Sequence, residues 1–257
     1  MTGQTKTGTG QTKTGPGQTK TGAADERAPT LPEIARSLVF YALFYSFTVL
    51  LLLVLAVLLL VAPRGVFAMV QAWTGVHRAL VRHVLGIRVE VIGTPPQEGV
   101  FYALRHESFF EAIDLPQVLH RPCIFAKMEL MRIPVWGRAG WAYGLIGVER
   151  EAGAKTLRTM LSHARARLAE GRPLAIFPEG TRVPAGQRLP LQSGFAGLYK
   201  LLSLPVVPVA VHSGALYHRV WKRRGTIRYV IGDTIPPGLP REEMEARVLD
   251  AITAAAP

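Results

Sequence analysis

Cysteine occurs once in 257 residues, at Cys123. A single thiol excludes an intrachain disulfide and any multi-thiolate metal site, and it fits a reducing compartment. Cys123 stands in the apolar run "PCIFA", where a buried thiol is expected. The histidines His77, His83, His120, His163, His212 and His218 form no H-x-x-x-H or H-E-x-x-H pair, so no zinc site is expected. Acids are scarce as well: 18 Asp and Glu stand against 30 Lys and Arg, a net charge of +12. The first 22 residues hold three lysines and no acid, so the remainder still carries +9. So basic a body suits nucleic acid, an anionic membrane or a phosphorylated substrate. No nucleic-acid module pattern accompanies it, and nucleic acid is not an expected partner.

Charge is missing altogether from Ser37 to Ala62, "SLVFYALFYSFTVLLLLVLAVLLLVA". As a helix this stretch is about 39 Å long, against a hydrocarbon core of about 30 Å, so a membrane helix is expected. Lys20, Arg27 and Arg36 flank one end, and Arg64, Arg78 and Arg82 the other. That is a tie under the positive-inside rule, and crossing and dipping both stay open. In the following Arg64–Gly86 segment, Val66, Met69, Val70, Trp73, Val76, Leu80 and Leu85 recur near helical spacing, with His77, Arg78, Arg82 and His83 between them. This suits an amphipathic interfacial helix with Trp73 at headgroup depth, and equally a helix packed on a soluble domain. Ahead of both, "GQTKTG" repeats three times with a period of seven. Gly, Thr, Lys and Gln bury too little surface to offset ordering entropy, so residues 1–30 are expected to be a disordered tail, and no apolar core makes them a signal peptide.

After Gly86 short apolar runs alternate with helical patterns. "IRVEVIG", "VFYALR", "CIFAK", "LIGVER", "PLAIF", "VVPVAVH" and "IRYVIGD" read as strands. "AKTLRTMLSHARARLAEG" and "REEMEARVLDAITAAA" read as helices. The expected organisation is membrane-associated helices over 31–86 and an α/β domain over 87–257.

Within that domain, "ALRHESFFEAIDLP" places His106 directly after a strand candidate, with Glu107, Glu111 and Asp114 downstream. Glu107 is adjacent and points elsewhere on a strand or a helix. Asp114 is eight residues on, about 12 Å along a helix. Glu111 meets His106 only if the histidine precedes a helix whose first turn carries the acid, as at a strand-to-helix junction. Further on, "AIFPEGTR" reads as a strand stopped by Pro178, with Gly180 for a tight loop, a hydroxyl at Thr181 and a phosphate-matching guanidinium at Arg182. Backbone N–H groups around Gly180 suggest an anion nest.

"HESFFE", "IGVER", "FPEGTR" and "LPVVPVAVHSG" stand in the order of the four sequence blocks of glycerolipid acyltransferases. Over roughly residues 85–240 the chain resembles the 1-acyl-sn-glycerol-3-phosphate acyltransferases, with "FPEGTR" the most specific piece. The resemblance implies a mixed sheet flanked by helices. It implies His106 as general base and Glu111 as the acid that orients it. It puts Arg150, Glu179, Gly180, Thr181 and Arg182 at the acceptor's phosphate and glycerol, Lys127 as a further phosphate candidate, and Pro208 near the acyl site. Glu111 replaces the usual aspartate, Arg105 and His212 stand where asparagine is common, and Glu149 stands for aspartate. The implied reaction moves a fatty acyl group from coenzyme A or acyl carrier protein to the sn-2 hydroxyl of 1-acylglycerol 3-phosphate, without metal or other cofactor and without an acyl-Ser108 intermediate. Glycerol 3-phosphate, another lysophospholipid or a lyso-aminolipid are the alternative acceptors, and a non-catalytic membrane-surface protein is the alternative class. The implied location is the cytoplasmic membrane, with the catalytic domain on the cytoplasmic side.

Overall fold

The structure, a computed structural model, describes residues 27–61, 65–149 and 153–255. Residues 1–26 of the expected tail, and Arg150, lie outside the described residues.

The apolar run forms α1 (Leu31–Val61), which starts ahead of Ser37 because Glu33 accepts the Thr30 N–H at 2.8 Å and so caps an extra polar turn. It is long and apolar enough to cross a membrane, and only 11% of its most apolar window is buried. The next helix, α2 (Val66–His83), runs back beside it. Phe44 stacks on Trp73, Phe40 meets His77, and the Trp73 indole N–H donates to Thr48 Oγ1 at 3.0 Å. Of the two expectations for this segment, packing on the domain is the one observed for its inner face: His77 and Val81 are buried, and Trp73 faces α1.

Among the described residues seven strands follow, in the segments where apolar β-prone runs predict them: β1 (Ile87–Ile92), β2 (Phe101–Leu104), β3 (Cys123–Lys127), β4 (Ile146–Val148), β5 (Leu174–Ile176), β6 (Val206–Val211) and β7 (Gly225–Ile231). They form one mixed sheet in the order β1-β7-β6-β2-β5-β3-β4, parallel throughout except where β7 meets β6. The helices between and after them are α3 (Phe109–Val118), α4 (Met128–Met131), α5 (Trp136–Tyr143), α6 (Gly153–Ala169), α7 (Ser193–Leu202), α8 (Gly214–Tyr217) and α9 (Arg241–Ile252).

Strand alternation sorts the core into two layers. Tyr102, Leu104, Val207 and Val209 pack with Phe110 and Leu115 of α3 and with Phe40, Phe44 and Val81 of the helical pair. Phe101, Ala103, Leu174 and Val206 pack with Met160 of α6, Phe195 and Leu198 of α7, and Met244 and Val248 of α9. Both faces of β2 are therefore covered, which explains a strand with no polar residue. Cys123 lies in the second layer, where burial pushes its thiol up to about 11. A third cluster joins Leu55 of α1 to Val66 of α2 and to Ala139 and Tyr143 of α5. Because β2 sits between β5 and β6, the loops leaving the C-terminal ends of these three strands meet on one rim, the usual place for a site in an open α/β sheet.

Candidate active site

His106 leaves β2 two residues before Ser108, the N-cap of α3. The Ser108 hydroxyl accepts the Phe110 N–H at 3.1 Å, and Glu111, at the third helical position, reaches back to the cap. Glu111 Oε1 accepts the Glu107 and Ser108 N–H groups, both at 2.6 Å, and lies 3.0 Å from His106 Nδ1. The capping box therefore does two tasks: it starts the helix and aims a buried carboxylate at the imidazole. A five-residue spacing is off-face in a regular helix, and it works here because His106 precedes the helix. Glu111 Oε2 accepts from Ser108 Oγ at 2.9 Å and Ser213 Oγ at 2.7 Å, and no part of its side chain is exposed.

The two other acids take different partners. Asp114 bonds Arg78 Nε at 2.7 Å and accepts from the Tyr229 hydroxyl at 3.2 Å, locking α3 to α2 and β7. Glu107 accepts the N–H groups of Ser213 and Gly214, at 3.0 and 2.8 Å, tying the β6 loop to the β2 loop. Burial holds its carboxyl above the usual range, against the pull of those two N–H groups and Arg105.

The "FPEGTR" loop is fastened to His106 from several sides. The Val183 N–H donates to the His106 carbonyl at 2.7 Å, and Phe177 stacks on the imidazole with centroids 4.2 Å apart. Glu179 Oε2 accepts the His106 N–H at 3.3 Å, and its Oε1 pairs with Arg105. Arg105 also donates to the carbonyls of Pro184 and Gln187, at 3.1 and 2.5 Å. Burial raises the Glu179 carboxyl, and the charge of Arg105 opposes that.

Several expected substrate contacts are placed differently from the sequence expectation. The Glu179 carboxylate turns inward, only 1% of the residue being exposed, because the buried guanidinium of Arg105 and the His106 N–H claim it. Gly180 has φ +67, which favours glycine, but its N–H is spent on the Phe177 carbonyl at 2.9 Å and is not part of an anion nest. Pro208 is buried inside β6 beside Ala103, beyond the last β6–β7 pair Val209–Ile231. Thr181 and Arg182 are exposed on the loop that follows β5, with the Arg182 guanidinium 4.0 Å over the ring of exposed Phe109. Burial, then the charges of Arg182 and Lys222, hold the nearby His218 imidazole below its usual range. Lys127 is exposed at the end of β3, two strands and about 10 Å of sheet away from β2. Arg150 lies outside the described residues. Ser213 and Arg105 were given no role by the motif spacing, since both are brought in by contacts across the sheet. Among the described residues no group of three or more His, Cys, Asp or Glu is arranged to hold a metal ion.

A family model described as Acyltransferase matches residues 86–212, which include His106, Glu111, Glu179 and Arg182. The 1-acyl-sn-glycerol-3-phosphate acyltransferase of Pseudomonas aeruginosa is 33% identical over 170 residues, 63% of this chain and 65% of the relative. The human 1-acyl-sn-glycerol-3-phosphate acyltransferase alpha is 30% identical over 161 residues, 61% of this chain and 57% of the relative. The matches thus span less than two thirds of the length of either relative. The crystal structure of the 1-acyl-sn-glycerophosphate acyltransferase of Thermotoga maritima has a TM-score of 0.68, with 86% of this chain and 95% of that chain covered. At 18% identity that likeness is one of fold. Over residues 86–212 this chain is therefore similar in sequence to acyltransferases, the 1-acyl-sn-glycerol-3-phosphate acyltransferases among them, and it shares the fold of the Thermotoga maritima enzyme.

Proposed function

We propose that the chain transfers a fatty acyl group from a thioester, on coenzyme A or acyl carrier protein, to the sn-2 hydroxyl of 1-acylglycerol 3-phosphate, giving phosphatidic acid. The observation that carries this reading is the 3.0 Å contact between Glu111 Oε1 and His106 Nδ1. With Nδ1–H given to the carboxylate, Nε2 holds the lone pair and acts as base. A glycerol hydroxyl is a weak nucleophile at neutral pH, and proton removal during attack contributes about 10²–10⁴-fold. Nε2 takes the hydroxyl proton while the oxygen attacks the thioester carbonyl. The tetrahedral oxyanion then collapses, the C–S bond breaks, and His106 returns the proton to the thiolate. Ser108 Oγ is engaged with Glu111 and the Phe110 N–H, which favours this single displacement over an acyl-serine. Arg182, exposed beside Phe109, and Thr181 next to it are the phosphate contacts of this reading; Lys127 and Arg150 are its further phosphate candidates. Glu179 serves by holding His106.

The helical pair supports a membrane setting and an orientation. Because α2 returns along α1, Arg78 and Arg82 come back to the end that carries Arg27 and Arg36. That gathers flanking charge on one face, and under the positive-inside rule this supports a cytoplasmic placement of that face. The protein side of α1 extends from Ser37, which accepts the Lys222 N–H, to Leu55 and Leu59 against α2 and α5. A helix docked over about 33 Å of its length suits dipping into the bilayer with its outer face better than a free crossing.

The test is product analysis. Purified chain given an acyl thioester and lysophosphatidic acid in mixed micelles should form phosphatidic acid. Free fatty acid alone would identify a thioesterase instead, and preference for glycerol 3-phosphate or another lysolipid in competition would move the acceptor.

A further inference from the structure

Ser213 follows β6, a hundred residues downstream of the histidine loop, yet its side chain is fully buried against the carboxylate that orients His106. Its Oγ lies 2.7 Å from Glu111 Oε2 and 2.7 Å from Ser108 Oγ. Its backbone is not free to drift, since Glu107 holds the N–H groups of Ser213 and Gly214 together. The hydroxyl is therefore delivered to Glu111 from a fixed main chain.

We propose that Ser213 is a positioning residue for acyl transfer, acting through Glu111 on the basicity and orientation of His106; this rests on the reading of His106 as the general base. The two oxygens of Glu111 are loaded differently. Oε1 receives two backbone N–H groups and the imidazole, whereas Oε2 receives only the hydroxyls of Ser108 and Ser213. In a site without exposure, an oxygen short of donors is costly, and the carboxylate relieves that by rotating or by drawing more strongly on the remaining donors. Ser108 has one proton and already accepts from Phe110, so it cannot replace both hydroxyls at once. Ser213 thus fixes the carboxylate plane and shares its charge. This moderates the pull on the imidazolium, so that His106 accepts the hydroxyl proton and still releases it to the thiolate.

Loss of the Ser213 hydroxyl concentrates negative charge on Oε1 and strengthens the imidazolium pairing. The experiment uses Ser213→Ala and Ser213→Thr in the full chain. It reads kcat and acceptor KM against pH, and follows the His106 ring nitrogens by 15N NMR titration. For Ser213→Ala, kcat is expected to fall about tenfold to a hundredfold while acceptor KM moves by no more than about twofold. The acidic limb of the rate profile and the His106 titration should both move to higher pH, and Ser213→Thr should restore each. An unchanged His106 titration in Ser213→Ala overturns the inference, even if kcat falls, because a packing defect alone lowers rate without moving the imidazole. The base reading fails by a separate result, full turnover by His106→Ala. The titration needs no turnover and so judges Ser213 in either case.

Discussion

Glu111 Oε1 sits 3.0 Å from His106 Nδ1, while Asp114, one helical turn further on, turns to Arg78 and Tyr229. Acids so close in sequence are thus separated by partner. His106→Ala should cost about 10²–10⁴ in kcat. Glu111→Gln should lose comparable activity, because a neutral amide cannot offset the charge of the imidazolium, and should also lower stability by about 1–2 kcal/mol, because its NH2 faces the Ser108 and Ser213 hydroxyls that now donate to Oε2. Asp114→Asn should show the opposite balance. Breaking its pair with the partly exposed Arg78 should lower stability by about 2–3 kcal/mol and leave kcat within about threefold. Turnover and denaturation midpoints of the three variants, measured in one detergent, separate these outcomes.

Arg105→Ala should be among the most destabilising single changes. Arg105 is buried between Glu179 and Glu107, so its removal leaves carboxylates without their cation, at a cost of about 3–5 kcal/mol. The sign of the pH dependence follows from burial, which already raises Glu179 above 4.5. Without Arg105 the folded-state pKa rises further while the unfolded value stays, so the folded state binds the proton more tightly. The deficit against the parent chain should therefore shrink as pH falls from neutrality toward 4.5. Thermal midpoints of both proteins across that range check it, and a constant gap would contradict the burial argument.

His77 predicts an acid-side dependence of opposite origin. It is buried among Phe40, Phe44 and Phe110, with one ring nitrogen 2.8 Å from the Tyr217 hydroxyl. Burial, with the charges of Arg78 and Lys222, lowers its pKa from 6.5 to about 3. The unfolded chain binds this proton at higher pH than the folded one, so the contribution is complete above pH 6.5 and is lost as pH falls toward about 3. His77→Gln keeps a hydrogen-bonding side chain without the titration. Its unfolding free energy should decline less than the parent's between pH 6.5 and 5, and parallel curves would refute the assignment.

Arg182→Ala tests the phosphate contact. Its guanidinium rests on Phe109 and is exposed, so its loss should leave folding intact. Acceptor KM should rise about tenfold or more, the scale of a charge-assisted phosphate contact, with kcat nearly constant. An unchanged KM would remove Arg182 from the phosphate site.

How much of this was legible in the sequence depended on whether the cause was local. The seven strands were, because runs such as "VVPVAV" and "PLAIF" are apolar and bounded by turn residues. Helix α7 was not: Ser193, Gly194 and Gly197 weaken its local preference, and it forms because Phe195 and Leu198 bury themselves against the sheet. The contact between His106 and Glu111 was readable because a capping box has a fixed reach. The direction of the Glu179 carboxylate was not, since a motif names residues without saying where they point, and its partner Arg105 lies 74 positions away. The balance of charges around α1 looked even in one dimension and became one-sided only when α2 folded back.

The joint core of the helical pair and the sheet has a mechanical corollary. An anchor on a pliable leash would let its cargo tumble at any height over the lipid. Here α1 packs on the body through Ser37, Phe40 and Phe44 and again through Leu55, so in the proposed membrane setting the loop beside Phe109 would be held at one height. On the proposed reading, encounter with a lysolipid would then be a two-dimensional search within the leaflet, and only a water-borne thioester would have to arrive from three.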